Sequence, residues 1–421
     1  MHIEVVTIGD ELLLGYTIDT NAAHIARVLA VEGVEIARRT TVGDTAPAIA
    51  AAVHEALDRT GAVITTGGLG PTSDDLTKPS IAALFGRAMV LDEEHLAWME
   101  ERFTRIFKRP MAASNRQQAM LPAGARKLRN NHGSAPGIWL EDDRGRWVAM
   151  LPGVPRELRG MLADTLVPLV RERAGAARRV VRSRTLRTTG VGESLIADRV
   201  ATLPDGVGDV DIAYLPNAEG TDLRLTVRGA APEEADRRLA DSAARLHTVL
   251  DDAIYGEDDA DLAAVVLELC RTRSLTIAVA ESCTGGLLGA RLTAIPGSSE
   301  VVLGGVVAYA NAVKTTLLGV PAAMLREHGA VSEPVVRAMA SGVRAATGAR
   351  VGLAITGVAG PGGGTEEKPV GTVWIATDVD GEIDARKTRL IGDRAEVRQR
   401  AAQAILEMLR RRLAPGRAPT R

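Results

Sequence analysis

Short apolar runs alternate with amphipathic stretches along the first 170 or so residues of this 421-residue chain. Residues 3–8, 35–42 and 62–66 have the apolar, β-branched character of strands, whereas residues 20–33 and 46–59 have the apolar spacing of helices. Strands that alternate with helices predict a parallel sheet with helices on both faces, which is the α/β class. Such sheets bind ligands at the carboxyl ends of their strands, so the loops there are the first candidates for a site.

The loop after the third predicted strand, residues 65–75, is rich in glycine and ends in two aspartates. Backbone amides of residues 67–70 would cradle a phosphate group. Asp74 and Asp75 would hold Mg²⁺ against that phosphate, because hard cations take carboxylate oxygens. The alternative interpretation is a turn followed by an aspartate helix cap. A second loop with glycines and carboxylates, residues 9–15, follows the first strand.

The middle of the chain, from residue 178 to about residue 256, has a different pattern of apolar and polar positions. Alternating strands at 184–189 and 222–227, with helices at 192–200 and 232–249, predict a small α+β module. No set of chemically reactive side chains stands out in this module. We therefore expect it to connect its neighbours or to oligomerise.

The α/β pattern returns at residues 257–413, where one motif combines hydroxyls, a thiol and two glycines. An apolar run at 275–280 predicts a buried strand and residues 287–295 a short helix, so Ser282 lies where the strand leads into the helix. Unpaired amides at a helix start would hold an anion, either a phosphate or the oxyanion of an acyl-transfer intermediate. Ser282 is thus a candidate nucleophile. The alternative is that Ser282 and Thr284 merely cap the helix.

A serine nucleophile needs a base, and Lys314 is the candidate. The predicted strand 301–308 ends before Tyr309, and Asn311 would cap the next helix, which places Lys314 in its first turn. A helix start and burial both lower the pKa of a lysine, which favours the neutral amine that a base requires. His328 is the only histidine of this segment and lies away from the predicted strand ends. A solvated helix lysine is the alternative.

Two further features lie at the predicted carboxyl edge of this C-terminal sheet. Residues 356–364 are dominated by glycine and follow a predicted strand at 351–355, and glycine lets a backbone approach a ligand closely. Arg394 opens the last predicted helix and would grip a phosphate or a carboxylate with its forked guanidinium.

Composition argues against several classes of partner. A formal net charge of −2 gives no basic field for nucleic acid, and an aromatic content of 3% gives few platforms for base stacking. The two cysteines, Cys270 and Cys283, have neither metal-ligand spacing nor a disulfide framework, which is typical of a reducing compartment. No apolar run is long enough to cross a bilayer, and no secretory signal is recognisable. We expect a cytoplasmic protein without a nucleic-acid or membrane partner.

Long motifs in both halves of the chain resemble the CinA family. The C-terminal motifs are Glu-Ser-Cys-Thr-Gly-Gly at 281–286, Tyr309 through Lys314, and residues 329–334, 356–361 and 392–394. They are similar to the CinA C-terminal domain, which is known as a nicotinamide mononucleotide amidohydrolase. The loop 65–75 and Gly9-Asp10-Glu11 look like the other CinA domain, which shares the three-layer α/β fold of MoaB/MogA molybdopterin-binding proteins.

The resemblance covers essentially the whole chain and implies its domain organisation. We expect a MoaB/MogA-like nucleotide pyrophosphatase domain at 1–172, a small α+β linking domain at 173–255, an α/β amidohydrolase domain at 256–413, and a disordered tail at 414–421. CinA proteins form dimers, so a homodimer is expected as well. Together the domains imply a bifunctional enzyme of pyridine-nucleotide salvage that acts on small-molecule nucleotides.

For the C-terminal domain the resemblance implies covalent catalysis without a cofactor. Ser282 would attack the carboxamide carbon of nicotinamide mononucleotide, and Lys314 would be its general base and the proton donor to departing ammonia. Tyr309 and Thr356 would position the reacting groups. Cys283 is the rival nucleophile, but we expect its side chain to point into the core, because neighbours on an extended chain face opposite ways. The expected substrate-binding residues are Thr284, Gly285, Gly286, Gly357, Gly360 and Arg394.

For the N-terminal domain the resemblance implies metal-dependent hydrolysis of ADP-ribose to AMP and ribose 5-phosphate. The expected ligands of the divalent metal, Mg²⁺ or Co²⁺, are Asp74, Asp75 and Asp10. The residues expected to hold the pyrophosphate are Thr66, Gly67, Gly68 and Gly70. Two alternatives stay open: this domain binds a molybdopterin-like ligand without hydrolysing anything, or the whole chain is a non-catalytic nucleotide-binding protein.

Overall fold

The structure is a computed structural model that describes residues 1–175 and 179–414, with the side chain of Phe107 left out of the description. Residues 415–421, which make up most of the predicted tail, lie outside the described residues. The chain divides into two compact units, of which the first contains residues 1–182 and 227–237 and the second residues 183–226 and 238 onward. The domain boundaries given by the sequence stay predictions.

Eight strands lie in the N-terminal segment: β1 (His2–Ile8), β2 (Glu35–Val42), β3 (Ala62–Thr66), β4 (Met89–Leu91), β5 (Met120–Pro122), β6 (Arg126–Leu128), β7 (Gly137–Glu141) and β8 (Trp147–Leu151). Six of them form one sheet in the order β2-β1-β3-β8-β7-β6, while β4 and β5 pair separately. Strands β2, β1, β3 and β8 are parallel, but β7 and β6 are antiparallel. The expectation of a fully parallel sheet is wrong at this edge, because a short turn rather than a helix joins β7 to β8.

Seven helices belong to the same segment: α1 (Asp10–Leu13), α2 (Thr20–Val31), α3 (Ala46–Thr60), α4 (Thr77–Leu84), α5 (Glu93–Phe107), α6 (Pro155–Met161) and α7 (Val167–Ala174). A 3₁₀ helix at Ala113–Ala119 and a π-helical turn at Leu162–Leu166 complete the segment. The side chains of Asp19 and Asp92 accept hydrogen bonds from backbone amides at the starts of α2 and α5. Gly61 ends α3 in the left-handed conformation.

Both faces of the N-terminal sheet are covered. Ile3, Val5 and Ile64 belong to an apolar cluster that includes residues of α2, α6 and α7. Val6 and Val63, which point the other way, belong to a second cluster with residues of α3 and α4. The alternation of side chains along buried strands therefore produces three layers, helices on sheet on helices, which confirms the predicted fold class.

The middle segment holds a four-stranded sheet in the order β10-β11-β9-β12. Its strands are β9 (Val180–Thr188), β10 (Asp211–Pro216), β11 (Thr221–Ala230) and β12 (Ile254–Glu257), and its helices are α8 (Glu193–Ala201) and α9 (Pro232–Leu250). The α+β character is as predicted. Strand β10 was not predicted, because its sequence is short and ends in proline.

The C-terminal segment has five strands: β13 (Ile277–Glu281), β14 (Val302–Val307), β15 (Val351–Gly357), β16 (Thr372–Val379) and β17 (Glu382–Arg389). Their order is β14-β13-β15-β16-β17; the first three are parallel, and β16 and β17 are antiparallel. The helices are α10 (Leu262–Thr272), α11 (Leu287–Thr293), α12 (Asn311–Leu318), α13 (Ala322–His328), α14 (Glu333–Thr347) and α15 (Arg394–Leu413), with a 3₁₀ turn at Ser298–Glu300.

Helices cover this sheet on both faces as well. Side chains of β13 and β15 divide between a cluster that includes residues of α10 and α15 and another that includes residues of α14. The carboxyl ends of β14, β13 and β15 lie side by side at one edge. Of the helices that the structure describes, none is both long and apolar enough to cross a membrane.

Candidate functional site

A cleft of about 480 Å³ opens at the carboxyl ends of the parallel strands of the N-terminal sheet. The loops after β1, β2, β3 and β8 contribute to its wall. The structure brings six of the predicted site residues together here, namely Thr66, Gly67, Gly68, Gly70, Asp74 and Asp75. Asp10 is not part of the lining, although its neighbours Gly9 and Glu11 are.

The glycine loop offers only part of the predicted phosphate cradle. The Gly67 amide donates to the Leu151 carbonyl at 3.2 Å, and the Gly70 amide donates to the Asp75 carboxylate at 2.7 Å. The Thr66 hydroxyl is buried and donates to the Pro152 carbonyl. Within the described ranges, the amides of Gly68 and Leu69 have no acceptor. These two amides are the ones that a phosphate would meet.

Asp75 stabilises the loop itself. Its carboxylate accepts hydrogen bonds from the amides of Gly70 and Thr72 and from the Thr72 hydroxyl. These hydrogen bonds favour the interpretation of Asp75 as a turn-stabilising residue over its interpretation as a metal ligand. A hydrogen bond from Thr72 also lowers the pKa of neighbouring Asp74, which keeps that carboxylate ionised.

Asp44, which follows β2, was not singled out from the sequence. Its amide donates to the Asp10 carboxylate at 3.3 Å, and the Asp10 amide donates to the Asp44 carboxylate at 2.9 Å. Burial raises the pKa of Asp44, and the nearby carboxylates of Asp10, Glu11 and Asp74 raise it further. The position of Asp44 directly after a parallel strand was the available signal, since four such loops meet at this edge.

These carboxylates concentrate negative charge at the rim of the cleft. In the part of the chain that the structure describes, no lysine or arginine lies within 4 Å of Asp10, Glu11, Asp44 or Asp74. The described residues contain no group of three or more acidic, histidine or cysteine side chains with metal-binding geometry. Mg²⁺ is commonly held by one or two carboxylates and by phosphate oxygens of the substrate. Asp10 and Asp44 fit that kind of site, and the metal itself stays a prediction.

The C-terminal site lies at the carboxyl edge of the other sheet. Strand β13 ends one residue before Ser282, and helix α12, which follows β14, carries Lys314. The Lys314 Nζ lies 3.2 Å from the Ser282 Oγ. Lys314 is only 1% exposed and Ser282 is 9% exposed. Two residues that are 32 positions apart in the chain therefore form a buried amine–hydroxyl pair.

The surroundings of Lys314 favour its neutral form. Burial lowers the pKa of its amine, and no carboxylate lies within 4 Å of it among residues 1–175 and 179–414. The Nζ donates to the carbonyls of Ala308 and Tyr309 at 2.6 and 3.2 Å. In the structure the Nζ also donates to the Ser282 Oγ at 3.2 Å. In the neutral amine, two hydrogens suffice for the carbonyls, and the lone pair would accept the serine hydroxyl instead. Asn311 does not cap α12, because the N-cap position belongs to Ala310.

Glu281 changes the interpretation of the helix start beside Ser282. Its carboxylate is fully buried and accepts hydrogen bonds from the amides of Gly286, Leu288 and Gly289 at 2.8–3.1 Å. The expectation that the start of α11 is free to bind an anion is therefore wrong. The alternative of a Ser282 or Thr284 cap is wrong too, because no hydroxyl caps this helix. Glutamate after an apolar run was the signal that we missed.

Donors for an oxyanion remain in the loop that precedes α11. The Ser282 amide donates to the Ile355 carbonyl, but the amides of Cys283 and Thr284 donate to no other described residue. The Thr284 hydroxyl is buried and has no hydrogen-bond partner among the residues that the structure describes. Gly285 and Gly286 both have positive φ, so the loop turns sharply away from β13 and leaves these amides next to Ser282.

The other predicted residues lie around this pair. The Thr356 hydroxyl is buried and donates to the Ala330 carbonyl at 2.9 Å. Tyr309 is 60% exposed, and its hydroxyl accepts a hydrogen bond from Arg394 at 2.9 Å. Arg394 also donates to the Gly360 carbonyl at 2.7 Å, which links the start of α15 to the glycine-rich loop.

Arg398, one turn beyond Arg394, was not predicted. Its guanidinium donates twice to the Thr284 carbonyl, at 2.7 and 3.1 Å, and so fixes the loop that carries the nucleophile. A side chain at Gly357 would press against the Thr372 carbonyl at 2.8 Å, which explains the glycine there. Neither arginine forms an ion pair with a carboxylate of the described chain.

Cys283 points away from Ser282, as predicted. It is 5% exposed and belongs to the apolar core cluster of the C-terminal segment. Burial raises the pKa of its thiol to about 11. A protonated thiol is a poor nucleophile, so Cys283 is a weaker candidate nucleophile than Ser282.

Comparison with known proteins agrees with this architecture. Three family models match consecutive segments: one described as a probable molybdopterin binding domain over residues 4–172, one as the damage-inducible protein CinA KH domain over 183–256, and one as the CinA C-terminal domain over 259–413. A CinA-like protein of Gemmatimonas aurantiaca is 62% identical over 414 residues, which cover 98% of this chain and 97% of that protein. This chain belongs to the CinA family.

Two other CinA proteins are similar to the whole chain or to part of it. A CinA-like protein of Gloeobacter violaceus is 45% identical over 97% of this chain and 96% of its own length. A solved structure, of the competence/damage inducible protein CihA from Agrobacterium tumefaciens, is 41% identical with a TM-score of 0.35 and covers 35% of this chain and 91% of that one. The CinA resemblance found in the sequence is confirmed, with a MoaB-like N-terminal domain, a KH-like middle domain and a CinA C-terminal domain.

Proposed function

We propose that the C-terminal domain hydrolyses the carboxamide of nicotinamide mononucleotide to nicotinate mononucleotide and ammonia. The observation that supports this proposal is the buried contact of 3.2 Å between Lys314 and Ser282. A carboxamide is a poor electrophile, so its hydrolysis benefits from a covalent intermediate and from oxyanion donors. The site offers a hydroxyl and unpaired amides within one loop, and a base on helix α12.

The reaction would begin with transfer of the Ser282 proton to the neutral amine of Lys314. The serine oxygen attacks the carboxamide carbon, and the amides of Cys283 and Thr284 stabilise the negative oxygen of the tetrahedral intermediate. Lys314 then gives the proton to the departing nitrogen, which leaves as ammonia, and an ester at Ser282 remains. Water, deprotonated by Lys314, cleaves that ester and restores the serine.

The nucleotide part of the substrate would be held by the opposite side of the site. Arg394 has no carboxylate partner in the described chain and lies between Tyr309 and the glycine-rich loop. A guanidinium of this kind is suited to the ribose phosphate. Binding energy from the phosphate would then position the carboxamide over Ser282.

Ammonia release tests this proposal directly. Wild-type protein and Cys283→Ala should release ammonia from nicotinamide mononucleotide, whereas folded Ser282→Ala should release none above background. Activity of Ser282→Ala together with an inactive Cys283→Ala would reverse the nucleophile. Failure of both the wild type and Cys283→Ala to release ammonia would contradict the amidohydrolase.

For the N-terminal domain we propose hydrolysis of ADP-ribose to AMP and ribose 5-phosphate. The supporting observation is that unpaired loop amides and the adjacent carboxylates of Asp10 and Asp44 lie at the same edge of one sheet. A divalent cation bound at these carboxylates would neutralise charge on the pyrophosphate. The amides of Gly68 and Leu69 would hold a phosphate oxygen, and Asp75 would keep the loop in the shape that presents them.

Formation of AMP from ADP-ribose tests the second activity. The Asp44→Asn variant should lose most of it, while Asp143→Asn, an exposed aspartate outside the cleft, should retain it. Equal activity of the two variants would contradict a role for Asp44. Binding of a pterin without any AMP formation would favour the alternative of a ligand-binding domain.

We also propose that the protein is a cytoplasmic homodimer. Light scattering of the purified chain would show a mass of about twice 44.4 kDa. A monomeric mass at working concentrations would contradict the dimer.

A further inference from the structure

The Gln118 side chain is the unexplained polar group of the N-terminal cleft. It lies in the 3₁₀ helix Ala113–Ala119, lines the cleft and is only 5% exposed. Its Oε1 has no hydrogen-bond partner within the described chain. No other described side chain that lines this cleft has a buried polar atom in that state. Buried polar groups are normally paired, so an orphan amide at a ligand cleft indicates that a ligand pairs with it.

The backbone of Gln118 is fixed from behind by Lys78. This lysine in α4 is fully buried, and its Nζ donates to the carbonyls of Gln117 at 2.6 Å and Gln118 at 3.3 Å. No carboxylate of the described residues lies within 4 Å of it. Lys78 is therefore a positioning residue that sets where the Gln118 amide stands, and it does not face the ligand itself.

The chemistry of an amide restricts what it can recognise. Gln118 is neutral and presents one acceptor and two donors, so it is poorly suited to a phosphate, which charged groups and backbone amides bind better. Glutamine is suited to an edge that carries an amino group beside a ring nitrogen, and it pairs with adenine in this way. A pterin has the same kind of edge.

We propose that Gln118 determines specificity in this cleft by hydrogen-bonding the amino-and-ring-nitrogen edge of the ligand's heterocycle, which is the adenine of an ADP-ribose-type nucleotide. The proposal rests on the proposed function of the same cleft and adds which part of the ligand is read. The loop amides, with a cation held by the carboxylates of the rim, would bind the phosphates, and Gln118 binds the base. A nucleotide would thus be held at both ends.

Calorimetric titration of the full-length protein tests this proposal with two nucleotides. AMP carries the 6-amino group, and purine riboside 5′-monophosphate lacks only that group. Wild type should bind AMP about 5- to 150-fold more tightly, the range for a good amide–adenine pair. Gln118→Met keeps the side-chain volume but loses the pairing, so it should bind the two nucleotides equally. Gln117→Met, at the exposed neighbour, should keep the wild-type preference.

Gln118→Glu gives a second variant in case the methionine variant folds poorly. It can accept from the amino group but no longer donates, so it should bind AMP more weakly than wild type does. An undiminished preference for AMP in both Gln118 variants would overturn the proposal, while AMP formation from ADP-ribose would still support the proposed function.

A pterin monophosphate serves as the third probe and separates the two ligand sources. If wild type binds this pterin but not AMP, and Gln118→Met weakens that binding, the role of Gln118 is supported and the proposed ADP-ribose hydrolysis is contradicted. If wild type binds neither AMP nor the pterin, both the role of Gln118 and the proposed function are overturned.

Discussion

The C-terminal site is built around a buried amine without a carboxylate partner in the described chain, whereas the N-terminal cleft gathers carboxylates without a cation. Lys314 contacts a hydroxyl and two carbonyls, and burial is the main reason that its pKa lies below the ordinary value. Asp10 and Asp44 contact each other's amides. The first site contains the proposed nucleophile and the proposed base. The described residues of the second site include no such pair, so its proposed chemistry depends on what binds there.

Both sites nevertheless use the same structural device. In each, a carboxylate next to the loop or within it accepts hydrogen bonds from nearby backbone amides. Glu281, the last residue of β13, does so at the start of α11, and Asp75 does so in the glycine loop. Each carboxylate stabilises a sharp turn after a parallel strand and removes some of the donors that a ligand would otherwise meet. Loop amides that the sequence predicts to be available for a ligand therefore already donate, in part, to these carboxylates.

The largest difference between the sites should appear when the base is removed. Lys314→Arg keeps the positive charge but cannot lose a proton, so it should lower ammonia release as much as Lys314→Met does, by about 10²- to 10⁴-fold. Formation of AMP from ADP-ribose serves as the internal control and should not change. A Lys314→Arg variant with more than a tenth of wild-type ammonia release would show that charge rather than proton transfer matters.

Metal removal should affect the other activity: AMP formation should be lost while ammonia release is kept. A chelator should abolish AMP formation and leave ammonia release unchanged, because the amidohydrolase chemistry uses only protein groups. Asp44→Asn should reduce AMP formation about 10- to 100-fold, the usual effect of altering a metal environment. Full AMP formation after exhaustive chelation, with added Mg²⁺ or Co²⁺ making no difference, would contradict the metal.

The pH dependence of ammonia release should follow Lys314. Burial destabilises the ammonium form, so the pKa of this amine lies below the ordinary value of 10.5 and the reactive neutral form appears at lower pH. The kcat/KM should therefore rise with pH, by about tenfold per unit on the acidic side of the transition. A rate that falls between pH 6 and pH 9 would contradict the neutral amine as the base.

Of the substitutions considered, those of Glu281 should change the reaction rate least. Their main effect should be on the free energy of unfolding. Glu281→Ala would leave three amides at the start of α11 without an acceptor and should cost about 2–4 kcal/mol of unfolding free energy. Glu281→Gln keeps an acceptor oxygen and should cost less. Thermal and denaturant unfolding would measure both variants. Equal stability of wild type and Glu281→Ala would show that water replaces the carboxylate.

Sequence patterns located most elements to within a few residues. Strand β3 was predicted at its observed bounds, because five apolar or β-branched residues lie between a helix-ending glycine and a glycine loop. The polar edge strand β17 was missed, because its exposed alternation resembles a surface loop. Ser282, Lys314 and Arg394 were recognisable because motifs mark them. Asp44, Gln118 and Arg398 carry no such mark, since their partners are distant in sequence or are backbone atoms. Glu281 belongs to a quoted motif, but its role was not recognised, because its partners are backbone amides.

By itself the sequence determined the alternation of strands and helices around the motifs, the membership in the CinA family, and the residues that carry reactive groups. Those properties depend on local periodicity and on motifs, which neighbouring residues encode. Only the tertiary structure decided which groups meet and which are already occupied. It placed Lys314 next to Ser282, paired the amides at the start of α11 with Glu281, and left the Gln118 Oε1 without a hydrogen-bond partner among the described residues. Such pairings depend on the parallel alignment of strands distant in sequence, and burial decides the protonation and the pairing of each group.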